Sequence, residues 1–342
     1  MTGLARTVLG DVPVETLGTT LIHEHLHMDS TGLAEAHGYI PDPDPGQFTA
    51  QSAAECRWNP GAHPDNYRFT EHRAVLEDLI DYADLGGRTI VDATPLDLGR
   101  NPLALRRFAM ESGLNVIMGT GYYLEATHRS ILPAGSEESA TLNLIVGEHE
   151  GDGIRPGMIG EIGTSDPPTE SEIRVLRGAA RAALTTGLPL SIHLHPWGDN
   201  ATRVLEVVGE TGLAPKRVLL NHLSTAIGDE DRVRALLATG VRISFDLCGF
   251  DHSLLGPGRY PPSDHDATRL IARLLADGFG GDVLMSQDVG VRTRLRRYGG
   301  WGYGHMIRHL FPLLRSHGVD ESGIRSLFIE GPAAFLTMEV PT

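Results

Sequence analysis

The chain has 342 residues, 41% of them hydrophobic, enough for a sizeable core in one large domain or two ordinary ones. Its 44 acidic against 29 basic side chains leave a formal charge of −15, which excludes the basic footprint a nucleic-acid partner requires. No run approaches 18 apolar residues and residues 1–10 lack the apolar centre of a signal peptide, so the expectation is a soluble, cytoplasmic protein with no membrane partner.

In chain order, short apolar runs of strand character alternate with stretches of helical period. The strand-like runs are residues 18–25, 88–94, 115–120, 157–163, 189–195, 217–222, 241–246 and 282–288. Helical stretches fall between them at 71–85, 103–112, 170–186, 201–211, 229–239, 266–277 and 303–317, with Gly86-Gly87, Gly187 and Gly240 where left-handed C-caps are expected. Eight β-then-α units imply parallel strands, because each crossover needs a helix, and eight is the number that closes a (β/α)8 TIM barrel. A doubly wound sheet is the alternative, but no Gly-x-Gly-x-x-Gly turn follows the first strand.

No linker rich in Pro, Gly or Ser divides the chain, so residues 1–342 read as a single α/β domain. Residues 30–66 carry Pro41-Asp42-Pro43-Asp44-Pro45-Gly46 and little periodicity. A long stretch there, after strand one, is expected to form a lid or pocket wall, with a disordered insertion as the alternative. Cys56 and Cys248 fit no metal-ligand or redox spacing, and they allow a disulfide without implying one.

The 16 histidines are the outlying count, and several sit at strand ends. In Leu21-Ile22-His23-Glu24-His25, strand alternation puts His23 and His25 on one face, able to ligate one metal ion, and turns Glu24 away. Strand four buries a lone Glu161 among glycines and aliphatics, strand five ends in His193-Leu194-His195, strand six in His222 and strand eight in Asp288. The C-terminal strand ends of a barrel converge on one mouth. Four histidines and two carboxylates meeting there suffice for two divalent ions bridged by one carboxylate.

Several longer runs carry a resemblance. They include Thr7-Val8-Leu9-Gly10, Ile90-Val91-Asp92-Ala93-Thr94-Pro95, Gly99-Arg100-Asn101-Pro102, Gly119-Thr120-Gly121-Tyr122-Tyr123, Glu161-Ile162-Gly163-Thr164-Ser165 and Gly299-Gly300-Trp301-Gly302-Tyr303-Gly304-His305. With the His23-Glu24-His25 run, they resemble the phosphotriesterase-like branch of the amidohydrolase superfamily over nearly the whole chain. The resemblance implies that His23, His25 and Asp288 hold the more buried metal, and that His193 and His222 hold the second. Glu161 takes the bridging position, where the best-known phosphotriesterases carry a carbamylated lysine and the phosphotriesterase-related subgroup carries glutamate. His195 shares a face with His193 and competes with it as ligand. Tyr122, Tyr123, His195 and His305 are substrate-pocket candidates, with His27 and Tyr303 nearby. Glu330-Gly331-Pro332 departs from the family's Glu-Asn-Pro run, a change expected to touch only a helix start.

The function so implied is a binuclear metal-dependent hydrolase. A metal-bridging hydroxide attacks the substrate carbonyl and Asp288 serves as general base. The substrate is expected to be a small molecule, a lactone, ester or N-acyl amide, with phosphotriester hydrolysis as the runner-up. A mononuclear deaminase and a binding protein that has lost catalysis are further alternatives. The cofactors are two divalent ions, zinc by default among zinc, manganese, cobalt and iron, because His and carboxylate sites accept all four. The resemblance also allows a homodimer.

Overall fold

The computed structural model describes residues 3–36, 38–39, 45–256 and 258–339. Apolar runs too short for helices form a cylinder of parallel strands: β1 (Thr20–Glu24), β2 (Thr89–Asp92), β3 (Asn115–Met118), β4 (Ile159–Gly163), β5 (Leu190–His193), β6 (Val218–Leu220), β7 (Arg242–Phe245) and β8 (Val283–Met285). Each of β1 to β3 pairs in parallel with the next, and so do β4 to β8. Two seams close the ring. The Gly157 and Gly160 N–H groups donate to the Met118 and Thr120 carbonyls, and the Asp288 N–H donates to the His23 carbonyl at 3.2 Å. Neighbours in space are neighbours in sequence, the order of a (β/α)8 barrel.

The helices that cover it are α1 (His72–Asp84), α2 (Pro102–Ser112), α3 (Glu137–Glu150), α4 (Glu170–Thr186), α5 (Ala201–Gly209), α6 (Glu230–Ala238), α7 (Asp264–Ala276) and α8 (Phe311–Ser316). Helix α4 shows why these boundaries arise. Thr169 and Glu172 form a reciprocal capping box at its start, and Gly187 ends it with a left-handed φ of 69°. Its apolar face, including Ile173, Leu176 and Ala180, is buried in the main core. Inside the barrel, Ile22, Val91, Ile117, Met158, Leu219 and Leu284 pack together with Phe335 and, from the hairpin of Leu4–Thr7 with Gly10–Pro13, Ala5. Each such aliphatic contributes ~1.5–3 kcal/mol on burial.

Three sequence expectations need correction. The strands are shorter than the apolar runs, so His25, His222 and Asp288 stand on the loops just beyond them. Helix α3 has no expected counterpart, because its apolar residues lack a helical stripe. The expected helix at 303–317 is a wider π-turn over Met306–Leu310 followed by α8, and a second π-turn, Ser326–Glu330, precedes Gly331–Leu336. In both, a proline (Pro312, Pro332) sits in the next turn, where it cannot donate an N–H and would crowd a tighter coil.

Residues 30–66 are not a featureless insertion. They fold into Thr31–Ala36, a helix over Ala50–Trp58 with a capping box at Thr49, and two short 3-10 turns. The Pro41-Asp42-Pro43-Asp44 run lies outside the described residues. Cys56 and Cys248 are both free and buried. Among the described residues no helix is long and apolar enough to cross a membrane.

Candidate metal centre

The strand ends bring the polar residues to one point. Glycine explains how β4 carries a carboxylate so near the axis. Gly160 has φ 113°, and a Cβ there would collide with the Ser191 carbonyl, while one at Gly163 would strike the Tyr123 backbone. Between those close approaches Glu161 is the one polar side chain of β4, buried among aliphatic neighbours.

His222 and Asp288 adopt left-handed backbones, with φ of 65° and 54°, uncommon for residues with a Cβ. Both are held there. The His222 N–H donates to the Asp246 carboxylate at 3.0 and 3.1 Å. Around Asp288, the Gln287 and Val289 N–H groups each donate to Glu24 at 2.9 Å, and the Ser286 hydroxyl donates to it at 2.7 Å. Glu24 therefore does turn away from the mouth, and its carboxylate clamps the end of β8. Burial and the nearby Asp288 push its carboxyl up to about 7, against the pull of those donors.

Glu161 divides its two oxygens between two groups of histidines. Oε1 lies 3.7 Å from His23 Nε2 and 3.5 Å from His25 Nε2. Oε2 lies 3.1 Å from His193 Nδ1 and 3.4 Å from His222 Nε2. Asp288 Oδ1 lies 3.1 Å from His25 Nε2 and 3.7 Å from His23 Nε2. Two triplets of donor atoms converge closely enough to hold an ion, His23–His25–Asp288 and His23–Glu161–His222. His193 is outside both triplets and meets the cluster through Glu161.

Electrostatics favour cations here. Burial alone would raise the Glu161 carboxyl, yet the His23 charge and hydrogen bonds to His193 and His222 hold it well below the usual carboxylate range. Asp288 is likewise held low against its burial, chiefly by His25 and His23. Burial and the neighbouring His222 push His193 down to about 4, so its ring is neutral and free to ligate. Both ring nitrogens of His23 are buried without a hydrogen-bond partner. An orphaned imidazole beside two ionised carboxylates is costly, and a divalent cation would satisfy all three. The donor set fits such ions.

Outer partners orient the rings. His25 Nδ1 lies 2.8 Å from Thr94 Oγ1 and His222 Nδ1 lies 3.1 Å from Asp246 Oδ1, leaving each Nε2 aimed at the carboxylates. The Tyr303 hydroxyl donates to the His25 carbonyl at 2.6 Å from beneath the site. Asp246, Thr94 and Ser286 were not singled out in the sequence, although Asp246 stands at the end of strand seven, the same position that marks the other residues.

A cavity opens above the cluster, reaching His25, Glu161, His193, His222 and Asp288. Tyr123 lines it with its hydroxyl 3.1 Å from His193 Nδ1, and His195 lines it with Nδ1 accepting from the Trp197 N–H at 3.2 Å. His193, and not His195, faces Glu161. Two expected pocket residues are not brought to the cavity. Tyr122 lies edge-on to His128, and His305 Nε2 sits 2.8 Å from Asp264 beside Trp301. Their spacing from the motif glycines gave no sign of this, because the loops turn them into the helix layer. His27 is half-buried and also off the cavity.

Comparison with known proteins agrees with this geometry. The model of the phosphotriesterase family matches residues 4–336. N-acetyltaurine hydrolase of Danio rerio is 33% identical over 98% of this chain and 99% of its own. The crystal structure of a resiniferatoxin-binding protein from Rhodobacter sphaeroides superposes with a TM-score of 0.90 at 34% identity, covering 98% of this chain and 95% of that one. A lactonase from Listeria monocytogenes shares the fold, with a TM-score of 0.79 at 21% identity over 98% of this chain and 100% of the other. A family match across almost the full barrel, on a chain whose strand ends gather four histidines and two carboxylates, is decisive, and the chain belongs to the phosphotriesterase family.

Proposed function

We propose that the chain is a hydrolase of carbonyl substrates, amides, lactones or esters, working with two divalent cations. One observation carries this reading: the two Glu161 oxygens face different histidine groups, His23 with His25 and His193 with His222. His23, His25 and Asp288 would hold one cation, His193 and His222 the other, and Glu161 both. The N-acetyltaurine hydrolases among its relatives support amide hydrolysis. Divalent ions so held acidify water to near-neutral pKa and polarise an acyl oxygen. Asp288, ionised and the most exposed of the carboxylates with a side chain 20% accessible, takes a proton from the attacking water and returns it to the leaving group. Tyr123, whose hydroxyl burial holds well above its ordinary range, stays protonated and can donate to the acyl oxygen.

Glu161 also favours this reading over a deaminase, whose chemistry needs no shared carboxylate. No lysine can replace it. Lys216, the one lysine in the sequence, lies in the turn before β6, at the opposite end of the strand, paired with Glu339 at 3.3 Å. The test is metal analysis of the purified chain alongside rates on N-acyl amides, lactones and an aryl phosphotriester. Two equivalents of metal and turnover of a carbonyl substrate are expected. One equivalent, or turnover of the phosphotriester alone, would overturn the proposal.

A further inference from the structure

Resting on that hydrolase reading, we infer that the cavity selects substrates whose non-reacting part is apolar and uncharged, and turns away those carrying a fixed anion. The walls are the first observation. Leu33 and Tyr67 from the segment after β1, Leu124 after β3, and Leu247, Phe250 and Leu254 after β7 face one another across the space above Glu161. The second is charge. Among the described residues no Arg or Lys lines the cavity, and its two carboxylates, Glu161 and Asp288, belong to the metal-ligating cluster at its floor.

Three of the guanidiniums around it are engaged elsewhere. Arg292 donates to Asp65 at 3.1 Å and lies over the Phe48 and Tyr298 rings. Arg57 donates to Asp251 at 3.2 Å. Arg294 is buried and donates to the Cys248, Gly249 and Gln287 carbonyls. Arg259 is exposed outside the walls. The polar wall groups are neutral and partly occupied. Ser30 donates to the Tyr67 carbonyl and Ser253 accepts from the Gly258 N–H. Burial pushes His252 down to about 4 despite the adjacent Asp251, so it brings no positive charge at neutral pH.

A sulfonate or carboxylate placed among these walls, away from the metal-ligating floor, would lose its hydration with no Arg or Lys to pair with in return. A methyl group in the same place gains from burial. Discrimination thus comes from what the site leaves unpaired as well as from what it contacts.

The test compares size-matched probes, N-(3,3-dimethylbutyl)acetamide and N-acetyltaurine, together with γ-lactones of lengthening alkyl chain. Two readouts are taken: kcat/KM on the metal-loaded enzyme, and calorimetric affinity for the metal-free protein. The neutral amide is expected to exceed its sulfonate match at least about 100-fold in kcat/KM, and each added methylene to tighten binding about threefold to fourfold. Leu33→Arg, or Leu254→Lys should the first fail to fold, is expected to narrow the gap by about tenfold or more. Equal use of the sulfonate, or affinity indifferent to chain length, overturns the inference and leaves the hydrolase reading standing. Selective binding of the neutral series without hydrolysis supports the inference and overturns the hydrolase reading. Failure of every neutral probe to bind or react overturns both.

Discussion

The substitution Asp246→Asn tests whether the layer behind the ligands sets metal affinity. Asp246 Oδ1 meets both His222 Nδ1 and the His222 N–H at 3.1 Å, and Oδ2 meets the same N–H at 3.0 Å. An asparagine oxygen at the Oδ1 place keeps the ring contact but points its amide N–H2 at the backbone donor. The reverse orientation keeps the backbone contact but offers a donor to Nδ1. That choice moves the ring proton to Nε2, the nitrogen 3.4 Å from Glu161, and removes its lone pair from the cation site. Losing such an outer partner typically costs 10- to 100-fold in metal affinity, about 1.4–2.7 kcal/mol. Competition titration against a chelator, on protein whose apo-form Tm matches wild type, reads the effect directly. Metal retention within twofold of wild type would refute the argument that Asp246 fixes the His222 tautomer.

Asp288→Asn should lower kcat about 10³-fold while leaving the barrel folded, measured as steady-state turnover with circular dichroism alongside, and near-normal turnover removes Asp288 as the base. Because Glu161 needs no carbon dioxide to become anionic, metal reconstitution without bicarbonate should restore full activity, and Lys216→Arg should match wild type. A bicarbonate requirement would contradict Glu161 as the shared ligand. Glu137, hydrogen-bonded to Arg174 at 2.9 and 3.0 Å, has its carboxyl lowered to about 2, by Arg174 first. A depressed folded-state value stabilises the fold above the unfolded pKa, near 4.5, and the gain disappears as pH falls toward 2. Glu137→Gln should therefore be about 1 kcal/mol less stable than wild type in urea at pH 7, with the gap closing below pH 4.5. A gap of equal size at pH 3 would show that packing, not charge, is lost.

The barrel was legible because parallel strands buried on both faces leave continuous apolar runs, and seven of the intervening helices carry a stripe that periodicity detects. Helix α3 was not legible, since only Glu137, Thr141 and Ile145 of its residues are fully buried and two of those are polar. Strand ends were overextended for a related reason: the loops that carry the candidate ligands continue the apolar pattern into residues that no longer pair.

Of the candidate site, the sequence by itself determined which residues have no ordinary use. Histidines and a glutamate inside apolar runs have nothing local to bond, so their convergence was implied by chain order alone. Only the tertiary structure turned His193 rather than His195 toward Glu161, left Tyr122 and His305 off the cavity, and set Glu24 and Asp246 behind the cluster. Those choices depend on left-handed turns at His222 and Asp288 and on strand-to-strand approach at Gly160. They are set by contacts between segments as much as 265 residues apart, as between Glu24 and Val289, which no local pattern encodes.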